Sequence, residues 1–248
     1  MNLEVIKGIK DKINPTEIYN EGWMTRLLVY YSIEEKLVLK NNEKVIIDFS
    51  KIQNWTSEAL ISSPFVNAKI NNEGYTHADI TLGEFSVDYS KKKKKGKLTV
   101  NDNANNFGII EAKMGSSLSK GTKNAPDYNQ AARNVACIAE NTYSKNCDIF
   151  FYVVVPESKL KLNKKEYNQF YDIVNSGKII KCIEKRIDDH NKFNDIKIEY
   201  EKEIVNKAKE CKVGVISYES WIEQITDENV KAMLDGFYEK CKTWNNIK

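Results

Sequence analysis

Residues 149–155 read IFFYVVV, an uninterrupted apolar run of strand length that Pro156 closes. Successive side chains of a strand point to opposite faces, so a run with no polar alternation belongs to a strand covered on both sides. That single stretch requires a sheet with a layer of structure on each face. "KVGVISY", residues 212–218, has the same character and reads as a second buried strand near the end of the chain.

Other segments fill in the layers. "NPTE" opens a helix expected over 16–40 with Thr16 as its cap and Ile18, Met24, Leu27, Leu28 and Tyr31 among its apolar positions. The pattern within 41–72 is ambiguous: "KVIIDF" fits a short strand and "WTSEALIS" fits a helical turn or two. The pattern then changes to period two. "YTHADITLG" sets Ala78, Ile80 and Leu82 against His77, Asp79 and Thr81. "EFSVDYS" and "KLTVND" form a hairpin around a lysine run, and "FGIIEAKM" is the next strand. A helix over 124–141 carries Ala125, Ala131, Ala132, Ala136 and Ala139, small residues that let it lie close against a sheet. Helices are expected over 164–175, 178–190 and 194–211 before the last strand, and over 220–224 and 228–244 after it. The order predicts an α/β protein with three layers, α/β/α, and a mixed central sheet.

In "FGIIEAKM" the chain places Glu111 and Lys113 two residues apart, on one face, while Gly108, Ile110, Ala112 and Met114 take the other. The pair lies either on a solvated sheet face or along a cleft. Asp79 occupies the polar face of its own strand. If the apolar faces of both strands pack on one helical layer, Asp79, Glu111 and Lys113 share the opposite side. Two carboxylates and an ammonium there suit a hard divalent cation such as Mg²⁺, which takes a few carboxylates and keeps several waters. Glu21 sits beside the apolar stripe of the first helix, where a carboxylate needs a partner. Gln130 begins "QAARN", with Arg133 and Asn134 one turn on.

Composition sets the limits. The 248 residues, 41% hydrophobic with four prolines and eleven glycines, fit one large or two small ordered domains. No apolar run approaches the ~20 residues of a membrane span, and the first residues lack the apolar stretch of a signal peptide, so the expectation is a cytoplasmic protein without membrane attachment. The five cysteines are scattered without C-x-x-C spacing and read as reduced packing residues. Net charge is +3, and all but three of the basic residues are lysines. Lysine richness therefore says little about nucleic acid. The run at 90–97, SKKKKKGK, reads either as a solvated hairpin tip or as a loop touching phosphates. No G-x-x-x-x-G-K-[ST] motif is present, so no nucleotide cofactor is expected.

"HADI" followed by "IIEAK", with a helical glutamate before and a "QAARN" helix after, resembles the PD-(D/E)XK nuclease superfamily. The resemblance spans about 16–156, an α-β-β-β-α-β core of restriction-endonuclease-like type; Ala78 stands where the family name implies proline. It implies a Mg²⁺- or Mn²⁺-dependent phosphodiesterase acting on DNA, of restriction, defence or repair type. Asp79 and Glu111 would bind the metal, with the Ala112 carbonyl as a further ligand and Glu21 as an accessory one. Lys113 would orient the attacking water and neutralise charge on the phosphorane. Gln130 would help position substrate or the lysine. Lys120 and Lys123, on the loop after the motif strand, are phosphate-contact candidates; Arg133 is either a phosphate ligand or a helix-surface ion pair. One nuclease domain over 1–248 is expected, with a helical insertion at about 160–210 and a final strand and helices at 211–246. A homodimer, an RNA- or junction-directed nuclease and a non-catalytic nucleic-acid-binding protein of the same fold stay open as alternatives.

Overall fold

A computed structural model describes residues 12–66, 73–89, 96–122, 125–160, 168–194, 198 and 200–247. The chain begins with helices α1 (Pro15–Ile18) and α2 (Glu21–Glu34) and a small hairpin, β1 (Val38–Asn41) and β2 (Lys44–Asp48). Five strands follow: β3 (Asn54–Ser62), β4 (Tyr75–Gly83), β5 (Phe85–Asp88), β6 (Lys97–Val100) and β7 (Asn106–Ala112). Helix α3 (Gln130–Thr142) leads to β8 (Asp148–Val155). Then come α4 (Glu157–Leu160), α5 (Asn168–Ile173), α6 (Ser176–Phe193), α7 (Glu201–Glu210), β9 (Lys212–Ser217), α8 (Tyr218–Glu223) and α9 (Glu228–Trp244).

Seven strands form one mixed sheet in the order β5-β6-β3-β4-β7-β8-β9. β4 runs antiparallel to both β3 and β7, whereas β7, β8 and β9 are mutually parallel. The apolar run at 149–155 is a central strand, as its lack of alternation requires. Ile149, Phe151, Val153 and Val155 join one core cluster, and Phe150, Tyr152 and Val154 join the other. Residues of α3, α6 and α7 build the first cluster; residues of α2, α8, α9 and the β1–β2 hairpin build the second. Helices thus cover both faces of the sheet. The small residues of α3 explain its position, because Ala131, Ala132, Ala136 and Ala139 are all fully buried and let the helix backbone approach the strands.

Several boundaries differ from the sequence expectation, each for a local reason. The helix expected over 16–40 is broken at Asn20, whose Oδ1 accepts from Trp23 N at 3.0 Å while its Nδ2 donates to Glu17 O at 2.8 Å. An asparagine that bonds the backbone on both sides ends one helix and caps the next. Thr16 is not the cap of the first helix; Asn14 is, accepting from Thr16 N at 3.1 Å. "WTSEALIS" is strand, not helix. It pairs with β4 from Asn54↔Gly83 to Ser62↔Tyr75, and this long-range pairing decides an apolar pattern that is ambiguous in isolation. Helix α3 starts at Gln130 rather than near 124, because Asn129 caps it by accepting from Ala132 N at 2.9 Å. The expected helices at 178–190 and 194–211 are observed as α6 and a shorter α7.

The hairpin around the lysine run is formed by β5 and β6, antiparallel from Phe85↔Val100 to Asp88↔Lys97. Lysines 91–95 themselves lie outside the described residues. All five cysteines are unpaired thiols, and four of them are buried. Burial pushes the Cys147 thiol up to about 11 and that of Cys241 to about 12, which fits a packing role rather than a reactive one. Among the described residues no helix is long and apolar enough to cross a membrane.

Gly83 ends β4 with φ +132°, and a Cβ there would lie 2.3 Å from Asn106 O and 2.9 Å from Phe107 Cα. Gly83→Ala is therefore expected to cost on the order of 2 kcal/mol or more, from a left-handed backbone and a clash with a neighbouring strand. A lowered urea midpoint checks this; an unchanged midpoint would contradict the β4–β7 packing.

Candidate active site

The site begins where the sheet opens. β4 and β7 pair from Gly83↔Phe107 to Ile80↔Ile110 and then part. On its other edge β4 also misses a pair: Ser57↔Ile80 and Ala59↔Ala78 flank Glu58 and Asp79, which lie opposite each other without a ladder pairing. Glu58 takes φ +60°, a left-handed conformation uncommon for a residue with a side chain. Both ladders are thus interrupted at Asp79. Its carboxylate Oδ2 enters the fork and accepts from Ala112 N at 2.8 Å, a donor that an unbroken ladder would have given to β4. In a strand the N–H and C=O of one residue point to the same side, so the Ala112 carbonyl faces the fork as well.

Glu111 continues the face of Phe107 and Ile109 toward α3 and is only 1% exposed. It does not lie on a solvated sheet face. Its Oε1 accepts from Lys113 Nζ at 2.5 Å and from Gln130 Nε2, and its Oε2 accepts from Asn134 Nδ2 at 3.1 Å. The Lys113 ammonium also stands 3.9 Å from Asp79 Oδ2, between the two carboxylates. Gln130 is braced from behind: its Oε1 accepts from Ser119 N at 3.2 Å and its backbone N donates to Ser119 O at 2.9 Å. It therefore ties α3 to both Glu111 and the loop after β7.

Glu21, the first residue of α2, reaches the same end of the sheet, where its Oε2 accepts from Met114 N at 2.6 Å. Lys159 on α4 arrives from the other side and donates to Gly115 O at 2.7 Å. Its helix is anchored by Glu219, which accepts from Glu157 N at 2.8 Å and from the Tyr238 hydroxyl at 2.8 Å.

Three carboxylates face one central ammonium, and the electrostatics reflect the imbalance. Burial, then the charge of Asp79, raises the Glu111 carboxyl well above its ordinary range against the pull of Lys113. Burial likewise raises Glu21, partly offset by the Met114 N–H. Burial opposes the Lys113 ammonium, but the attraction of Glu111 and Asp79 prevails and holds it above the usual lysine value.

The structure thus gathers Glu21, Asp79, Glu111, Ala112, Lys113 and Gln130 at one place. Arg133 lies one turn along α3, half-buried, and donates to Ser119 Oγ at 2.9 Å; it braces the loop. Lys120 is exposed on that loop, and Lys123 lies outside the described residues. Thr76, Asn134 and Lys159 belong to the site although the strand motifs do not point to them. Asn134 carries a signal in being four residues after Gln130, on the same helix face. Lys159 carries none.

Among the described residues no three His, Cys, Asp or Glu side chains come together closely enough to hold a metal ion. Asp79 and Glu111 are the two carboxylates that could hold Mg²⁺ or Mn²⁺. Mg²⁺ is commonly held by one or two carboxylates with water and substrate phosphate completing its shell, and Asp79 and Glu111 already share a cation, the Lys113 ammonium. Comparison with protein-family models, curated proteins and solved structures finds no match.

A carboxyl whose folded value is raised binds protons in the folded state that the unfolded state has released, so stability falls as pH climbs above the ordinary value of 4.5. Glu111 and Glu21 act in this direction. Glu111→Gln is expected to flatten the decline between pH 5 and pH 8 by on the order of 1 kcal/mol, read from urea unfolding at each pH. A variant with the wild-type slope would mean that Glu111 is not strained by its burial.

Proposed function

We propose that this chain is a metal-dependent nuclease that hydrolyses phosphodiester bonds in DNA, with a core of restriction-endonuclease-like type. The observation that carries the reading is the Lys113 ammonium held between Glu111 and Asp79 at the fork of β4 and β7, 2.5 Å from one and 3.9 Å from the other. Asp79 lies on β4, Glu111 on β7 and Lys113 one residue past the end of β7, in the order D…E-x-K that the superfamily uses.

Asp79 and Glu111 would hold the Mg²⁺ or Mn²⁺, with the Ala112 carbonyl on the same side of the fork. Bound there, the ion would polarise a phosphoryl oxygen and lower the pKa of a water molecule. The remaining work falls to the chain's own residues. Gln130 and Asn134 fix Glu111 in one orientation, so that no reorganisation is needed during the reaction. With the ion in place, Lys113 would keep its position beside Asp79, where its charge would orient water and offset negative charge growing on the phosphate. Glu21 holds the Met114 N–H and so fixes the chain just past Lys113. Lys120 and Lys159 supply positive charge at the mouth for flanking phosphates, and Arg133 shapes the loop that presents Lys120.

Supercoiled, linear and single-stranded DNA with Mg²⁺, Mn²⁺ or EDTA test the reading. Cleavage is expected with either metal and none with EDTA, and Asp79→Asn and Lys113→Ala are each expected to lose on the order of 10²-fold or more. Absence of cleavage of every DNA form, or Lys113→Ala cutting at the wild-type rate, would sink it.

A further inference from the structure

The two oxygens of Glu111 are held differently. Oε1 accepts from Gln130 Nε2 and faces Asp79 across the Lys113 ammonium, a long and displaceable side chain. Oε2 is drawn the other way, into the protein, by Asn134 Nδ2 at 3.1 Å. Asn134 is 0% exposed, and its own Oδ1 is satisfied by the Thr76 hydroxyl at 2.7 Å. The carboxylate fixes which way the amide points, because only the NH₂ can donate, and Thr76 satisfies the amide oxygen that is left. A buried amide satisfied at both ends is a stiff connection, since breaking either bond strands a polar atom away from water.

From this arrangement we infer that Asn134, backed by Thr76, is a positioning residue that holds Glu111 Oε2 in the fully buried part of the site, so that Oε1, beside Lys113 and the half-buried Gln130, is the oxygen presented to a cation shared with Asp79, and so sets the site's preference for Mg²⁺ or Mn²⁺ over Ca²⁺. The inference rests on the metal-dependent reading above. Its physical basis is the different demand of the ions. Ca²⁺ takes six to eight oxygens and readily uses both oxygens of a carboxylate, whereas Mg²⁺ keeps a small, strict shell with few carboxylates. A glutamate with one oxygen tied back serves the second kind of ion. Residues that orient a ligand from behind typically change metal affinity by about 10–100-fold when removed.

The test is calorimetric titration of the full chain with MnCl₂ and with CaCl₂, for wild type, Asn134→Leu and Thr76→Val. Wild type is expected to bind Mn²⁺ more tightly than Ca²⁺. Asn134→Leu frees Oε2 and is expected to shrink the ratio of the two dissociation constants by about 10-fold or more, and Thr76→Val to shrink it less, in the same direction. A merely structural role would weaken both ions together and leave the ratio in place. An unchanged ratio overturns the inference, whether the affinities hold or fall in parallel. Wild type binding neither ion overturns it together with the metal-dependent reading, whereas wild type binding Mn²⁺ with variants of unaltered ratio overturns the inference alone. Circular dichroism shows whether Asn134→Leu folds; if it does not, Thr76→Val decides.

Discussion

A backbone N–H in the middle of a covered sheet must find an acceptor, and in most strands the neighbouring strand supplies it. At Ala112 the acceptor is a side chain, the carboxylate of Asp79 at 2.8 Å. That one substitution of side chain for ladder lets β4 and β7 separate after Ile80↔Ile110 without stranding a polar group. The separation brings the Asp79 carboxylate beside Glu111 and turns the Ala112 carbonyl into the same opening. The left-handed Glu58 of β3 belongs to the same distortion, because the β3–β4 ladder skips it directly opposite Asp79.

Charge then organises what surrounds the fork. A glutamate 1% exposed is tolerable only when it is fully hydrogen-bonded or paired, and Glu111 has three donors, from Lys113, Gln130 and Asn134. Two of those donors come from α3, so the small-residue face that brings this helix close to the sheet also delivers the polar groups that stabilise the carboxylate. The compensation is incomplete. Glu21 and Glu111 both remain raised by burial, so each holds a proton more readily than an exposed carboxyl.

Much of this was legible in the sequence because its signals are local. The unbroken run at 149–155 specified a strand buried on both faces, and the alternation in β7 put Glu111 on the side of Phe107 and Ile109; the alternation expected around Asp79 instead breaks there, with Ala78 in one core cluster and Ile80 and Leu82 in the other. Glu21 and Gln130 stood out as polar groups at the edge of apolar helix faces. What escaped depends on contacts distant along the chain. Thr76 meets Asn134 from 58 residues away, and no spacing rule marks a threonine in an alternating strand as the support of a buried amide. Lys159 reaches the site only because Glu219, 62 residues beyond Glu157, anchors its short helix. The strand over 54–62 is ambiguous in the sequence for the same reason: its apolar pattern fits either structure, and pairing with β4 decides. The break at Asn20, by contrast, was a local signal, an asparagine placed between two helical segments that caps the second of them.

On the proposed reading, the fork between β4 and β7 receives a divalent cation in the place that the Lys113 ammonium now shares with Asp79 and Glu111. Anomalous diffraction from crystals grown with MnCl₂ tests it most directly. A manganese peak is expected between the Asp79 and Glu111 carboxylates, with the Lys113 side chain moved off Glu111 Oε1 and Asn134 still bonded to Oε2. Diffraction showing no peak at the fork, with Lys113 still on Glu111, would contradict it.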